Sequence, residues 1–219
     1  MSYEAVIFDL DGTLLESTSD HLEWMYAAVE ESLEEVDHDL EAVELSHSEL
    51  VALAGIDGYE VFEEKCSELE VDDQKMWFYV SHYRAKGKLE LLEEDLLELK
   101  TGSRETLEFL RKKGVSLAVV SNAPDPTVDE VIRFFELDSL LEFFLGIKDL
   151  DDLMDRKPRP RHIEIALDEL KADKVLYVGD SSVDVEAAEK IGADSAILGE
   201  NEEATFEIRN LQDLKDIVE

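Results

Sequence analysis

The chain has 219 residues, 44% of them apolar, enough to bury a real core as one domain or as one domain with an insert. Its 56 acids against 21 bases give a formal charge of −35, and the few Lys and Arg lie among acids, which excludes the basic stripe that nucleic acid demands. No apolar run is long enough to span a bilayer, and a lone cysteine, Cys66, makes no internal disulfide, so the expectation is a cytoplasmic protein with no membrane partner.

Ala5-Val6-Ile7-Phe8 reads as a buried strand of a parallel sheet that ends in Asp9-Leu10-Asp11-Gly12-Thr13. Strand alternation puts Asp9 and Asp11 on one side and Leu10 on the other, at the end of the strand where open α/β sheets bind ligands. Gly12 and Thr13 supply a turn whose backbone N–H groups can approach an anion. From Glu16 to Lys100 the periodicity turns helical. Leu22, Met25, Tyr26, Val29, Leu33 and Val36 form one apolar stripe. Ser46-His47-Ser48-Glu49 is a capping box, with Gly55 a stop, and two more helices span Gly58 to Leu69 and Asp73 to Ala85.

From Ser103 helices and strands alternate. A helix to Lys113 stops at Gly114, and the strand Val115 to Ser121 follows. Asp125-Pro126 opens a helix through Phe135, and a short strand spans Phe143 to Ile147. Pro160 to Leu170 is helical, Lys174 to Gly179 is a strand, and Ser182 caps a helix that Gly192 stops. Edge strands at Asp194 to Leu198 and Thr205 to Ile208 precede a last helix, Leu211 to Val218. The pattern implies an α/β fold, a Rossmann-like doubly wound parallel sheet with helices on both faces and an inserted α-helical subdomain.

Several strand ends deliver polar groups to one crevice. Ser121-Asn122 offers a hydroxyl and an amide to a phosphoryl oxygen; Gly179-Asp180-Ser181-Ser182-Val183-Asp184 places two acids one helical turn apart. Lys157 lies in the basic island Asp155 to Arg161, its loop stiffened by Pro158 and Pro160, with Arg156, Arg159 and Arg161 expected as surface charges. In order and spacing, these four elements resemble the haloacid dehalogenase-like superfamily, phosphoglycolate phosphatase and β-phosphoglucomutase branch, over essentially the whole chain.

The resemblance implies a catalytic core of residues 1–16 and 100–219 and an α-helical cap of residues 17–99. It implies Asp9 as a nucleophile forming an aspartyl phosphate and Asp11 as the acid and base. Mg²⁺ would be held by Asp9, the main-chain carbonyl of Asp11, Asp180 and, through water, Asp184. Ser121, Lys157 and backbone amides near Leu10, Asp11 and Asn122 would hold the transferring oxygens. Gly55, Ile56 and Asp57 would face the crevice from the cap, with hinges near Leu15 to Ser17 and Glu98 to Gly102.

The resemblance also implies that dehalogenase and phosphonate-hydrolase activities are disfavoured, since family members with those activities lack an acid at the position of Asp11. The reading is a Mg²⁺-dependent phosphatase of a small phosphorylated metabolite. The alternatives are a β-phosphoglucomutase-like sugar phosphomutase, which the resemblance favours through His21, placed as far beyond Asp11 as the histidine the mutases use in cap closure, and a non-catalytic binding relative, which intact motifs disfavour. The acid excess suggests a protein at home in molar salt.

Overall fold

The computed structural model describes residues 3–16, 23–36 and 45–218. Its centre is a six-stranded parallel sheet of order β3-β2-β1-β4-β5-β6, comprising β1 (Ala5–Phe8), β2 (Ser116–Pro124), β3 (Phe143–Ile147), β4 (Val175–Gly179), β5 (Asp194–Leu198) and β6 (Phe206–Ile208). Strand β1 pairs with β2 on one side and β4 on the other, Ile7 lying between Ala118 and Tyr177. The chain runs outward from β1 to β3, then returns to the other side of β1 for β4. The strand order therefore reverses at β1, the place where a crevice opens beyond the carboxyl ends.

Alternate residues of each strand enter different cores. Val6, Phe8, Leu117, Val119, Leu176 and Val178 pack against α5 (Ser103–Lys112), α6 (Asp125–Phe134) and α10 (Leu214–Val218). Ala5, Ile7, Ala118, Val120 and Tyr177 pack against α8 (Arg161–Leu170) and α9 (Ser182–Lys190) on the opposite face. Both faces are covered, so the strands read as continuous apolar runs rather than as alternating ones.

The segment between β1 and α5 holds α1 (Glu23–Glu35), α2 (His47–Leu53), α3 (Tyr59–Glu68) and α4 (Asp73–Glu93). Val29 and Leu33, Leu53, Phe62 and Cys66, and Met76, Trp77 and Val80 form a third core, which also takes in Ile147, Leu150 and Leu153. Phe62 meets Trp77 edge to face, ring centroids 5.7 Å apart. The two chain crossings are paired: Glu16 N donates to Glu98 O at 2.9 Å and Lys100 N to Leu14 O at 2.8 Å.

Several boundaries differ from the sequence reading. Helix α4 runs to Glu93, not Ala85, through Gly87, where an added Cβ would stand 3.3 Å from Trp24 Cε3; the close ring explains a glycine inside a helix. The N-cap of α9 is Ser181, one residue before Ser182, with Asp184 completing a capping box. Strand β2 continues past Ser121 to Pro124 with a register shift. The short helix α7 (Leu150–Met154), capped by Asp149, is five residues long, too few to show periodicity. His21 and Leu22 lie outside the described residues.

Candidate active site

Asp9 follows the last residue of β1, its N–H still on the ladder to Val178 O at 2.8 Å. Ser121 and Asn122 sit at the register shift of β2, and Asp180 follows β4. Three adjacent strands thus bring Asp9, Ser121, Asn122 and Asp180 to one edge, in a cavity of about 430 Å³ that Asp11, Lys157 and Asp184 also line.

Lys157 is the hub. It is 3% exposed, and its Nζ donates to Asp9 Oδ1 at 2.6 Å, Asp184 Oδ1 at 2.7 Å and Tyr177 OH at 2.9 Å. Tyr177 OH in turn donates to Val120 O at 3.2 Å. The loop that carries Lys157 is clamped by Asn122, whose Nδ2 donates to Lys157 O at 3.1 Å and whose Oδ1 accepts from Lys157 N at 2.9 Å. The Asn122 side chain therefore uses one amide hydrogen and its oxygen to hold the lysine loop. Ser121 Oγ accepts from Ala123 N at 3.1 Å, which leaves its own proton to donate.

Asp184 is held on both oxygens: beyond Lys157, its Oδ2 accepts from Ser181 Oγ at 2.7 Å and Ser181 N at 3.1 Å. Burial works against its charge, but Lys157 and the Ser181 donors outweigh that and keep the carboxyl below the usual range. Asp9 goes the other way: burial pushes it up to about 7, opposed by Lys157 and reinforced by Asp184. Asp180 is also raised, by burial and by the Asp184 charge. Burial disfavours the Lys157 ammonium, yet Asp9 and Asp184 drive its pKa well above the ordinary lysine value, so it stays charged.

Two glycines make room for this cluster. Gly12 has φ +80°, and a Cβ there would stand 2.0 Å from Asp180 Oδ2; a Cβ on Gly179 would stand 2.4 Å from the Cβ of Asp184. As a result Asp9, Asp180 and Asp184 each bring a carboxylate oxygen within 4.8 Å of the others. An all-oxygen, acidic donor set of this spacing fits a hard divalent cation such as Mg²⁺.

The helical segment supplies groups that sequence reasoning missed. Lys88, from the part of α4 beyond its expected end, donates to Asp11 Oδ1 at 2.6 Å and lies 5.2 Å from the centroid of the Trp24 ring. Arg84, on α4, also lines the crevice. Gly55 and Ile56 line it as expected, whereas exposed Asp57 does not and borders a neighbouring cavity with Gly58 and Tyr59. Arg156 is not the surface charge expected; it is half-buried in the crevice wall, and Nη1 donates to Ile56 O. A longer helix reading of α4 would have put Arg84 and Lys88, four residues apart, on one face. Tyr177 and Trp24 gave no signal, because an aromatic in an apolar strand or helix reads as core.

The parallel sheet thus collects carboxylates and a buried lysine at its strand-order reversal, an α/β architecture with an acidic crevice at its carboxyl edge. The chain belongs to the haloacid dehalogenase-like hydrolase family, whose model matches residues 6–198. It is 31% identical over 202 residues to the phosphoglycolate phosphatase of Aliivibrio fischeri, covering 88% of this chain and 82% of that one. It is 29% identical over 159 residues to the pyrophosphatase PpaX of Halalkalibacterium halodurans, covering 68% and 72%. Among solved structures, that of a predicted phosphoglycolate phosphatase from Haemophilus somnus shares the fold, with a TM-score of 0.69 and 22% identity over 100% of this chain and 99% of that chain.

Proposed function

We propose that this protein is a Mg²⁺-dependent phosphatase that hydrolyses a small phosphorylated metabolite by way of a phosphorylated Asp9. The observation that carries the reading is the buried Asp9–Lys157–Asp184 chain beside Asp180, with Asp11 on the same rim. A carboxylate with a fixed cation at 2.6 Å is placed to meet a phosphoryl group whose charge the lysine offsets. The relatives named as phosphoglycolate phosphatases support a phosphoric monoester hydrolase.

Asp9 attacks phosphorus through a carboxylate oxygen, and the ester bond to the leaving oxygen breaks as Asp11 gives that oxygen its proton. Asp11, now a carboxylate, takes a proton from water. That water attacks the phosphorus of phosphorylated Asp9 and releases inorganic phosphate and free Asp9. Lys157, Ser121 Oγ and the turn amides after Asp9 hold the three non-bridging oxygens, so the protein's work is positioning and charge stabilisation. Asp9, Asp180 and the main-chain carbonyl of Asp11 would hold Mg²⁺, with Asp184, both of whose oxygens are engaged, reaching it through water. When bound, the ion supplies positive charge to the phosphoryl oxygens and brings the Asp9 carboxyl down from the raised value that burial gives it.

Residues 17–99 act as a cap on the core of residues 1–16 and 100–219. Lys88 reaching Asp11, Arg156 reaching Ile56, and the hydrogen-bonded crossings at Leu14–Glu16 and Glu98–Lys100 support that role, in which closure excludes water from the reacting groups. The phosphomutase alternative rests on His21, which lies outside the described residues.

The test is phosphate release from a panel of small phosphomonoesters with and without Mg²⁺. The wild-type protein should turn over at least one of them, and both chelation and Asp9→Asn should lower the rate by at least about a thousandfold, the scale on which a lost nucleophile acts. Wild-type rates in the Asp9→Asn protein would refute the assignment.

A further inference from the structure

Among the described residues, three buried polar atoms in side chains that line the crevice have no partner: Arg84 Nε on α4, Trp24 Nε1 on α1 and Thr127 Oγ1 on α6. Arg84 stands out among them. It is 8% exposed, its Nη1 donates to Ala54 O at 2.7 Å, and among the described residues no carboxylate pairs with it. Of the other cations of the wall, Lys157 pairs with Asp9 and Asp184 and Lys88 with Asp11, while Arg156, less buried than Arg84, donates to the backbone carbonyl of Ile56. Burial lowers the Arg84 pKa to about 10, opposed by the charge of Asp11, which still leaves the guanidinium charged at neutral pH. A charge held out of water without a hydrogen-bonded counterion is costly, and a guanidinium matches a carboxylate or phosphate oxygen pair in shape as well as in sign.

The kind of group missing can be read from the donors. Arg84 Nε and Trp24 Nε1 only donate; they cannot accept. A sugar hydroxyl presents both functions and would also need acceptors; of the three free atoms only Thr127 Oγ1 can accept, and Asp11 Oδ1 already accepts from Lys88. A partner that only accepts fits the free groups better.

We propose that Arg84, with the Trp24 N–H in the wall of the same crevice, is a specificity-determining residue that receives a second anionic group on the substrate's leaving portion. The substrate class is then phosphomonoesters of small anionic alcohols or acids, not of neutral sugars. The inference rests on the phosphatase reading of the same crevice, but it can be tested by binding without turnover.

The experiment is calorimetric titration, in Mg²⁺ buffer, of wild type, Arg84→Gln and Arg84→Lys with three non-hydrolysable probes: ethylphosphonate, phosphonoacetate and methylenediphosphonate. Wild type should bind at least one of the two doubly anionic probes at least about tenfold tighter than ethylphosphonate, as expected for one charge-assisted contact. Preference for phosphonoacetate identifies a carboxylate; preference for methylenediphosphonate identifies a second phosphate. Arg84→Gln should bring that ratio close to one and Arg84→Lys should restore part of it, whereas a general loss of structure would weaken all three probes together. Equal binding of the probes by wild type, or an unchanged ratio in Arg84→Gln, overturns the proposal. If Arg84→Gln does not fold, the wild-type ratio and its drop in Arg84→Lys decide. A retained preference in a protein that hydrolyses no phosphomonoester would sink the phosphatase reading alone.

Discussion

Asp11 and Asp9 are two residues apart and live in different surroundings. Asp9 is buried against a fixed ammonium, while the Asp11 side chain is 36% exposed and its one ion-pair partner, Lys88, comes from the helical segment. A nucleophile needs a fixed position; an acid that also serves as a base needs an exchangeable proton. The account therefore predicts that Asp11→Asn depends on the leaving group. An alkyl phosphate, whose departing oxygen needs a proton, should lose about a hundredfold or more, and an activated aryl phosphate should lose far less. Steady-state rates on the two ester types check this; equal losses would remove Asp11 from the acid role. Gly12 gives a second residue-scale prediction. With φ +80° and Asp180 Oδ2 2.0 Å from an added Cβ, Gly12→Ala should displace the Asp180 carboxylate and weaken Mg²⁺ binding by calorimetry, and unaltered affinity would contradict the packing described.

At the scale of elements, α2 begins with a reciprocal cap: Ser46 N donates to Glu49 Oε2 at 2.8 Å and Glu49 N to Ser46 Oγ at 3.4 Å. The Ser46 hydroxyl and amide, with Lys65, lower the Glu49 pKa from its ordinary value of 4.5 to about 2. A group whose pKa falls on folding contributes stability above its unfolded pKa and loses it as pH drops through the folded one. Glu49→Gln should therefore lower the thermal midpoint at pH 7, and the gap from wild type should narrow between about pH 4.5 and pH 2. A gap independent of pH would contradict the cap's electrostatic part.

That cap was legible because its signal is local, and so were the apolar strands and their acidic ends, from which the crevice at the carboxyl edge follows. What was hidden needed tertiary contact. Gly87, a poor helix former, stands just past the expected end of α4 at Ala85, whereas packing of Trp24 over Gly87 accompanies a helix that continues to Glu93; Lys88 and its bond to Asp11 were lost with that turn. Asn122 could be placed at the site but not given its partner, since the Lys157 backbone it clamps is 35 residues away. Tyr177 reads as a core residue, and only the fold reveals that its hydroxyl meets Lys157.

The molecule as a whole carries −35 charges, and its exposed ion pairs, such as Arg133–Asp129 and Lys190–Glu186, are too few and too exposed to offset the repulsion. Screening shortens from about 10 Å at 0.1 M salt to about 3 Å at 1 M, which weakens repulsion between exposed carboxylates. The thermal midpoint should thus rise substantially between low-salt and molar KCl buffer; scanning calorimetry across that range, with an unchanged or falling midpoint, would refute a surface adapted to salt. The central claim, however, is chemical. Rapid acid quench during turnover of a good phosphomonoester, followed by peptide mass spectrometry, should find the added mass of one phosphoryl group on the peptide that contains Asp9 and nowhere else. A phosphoryl group on another residue, or none during sustained phosphate release, would contradict the account.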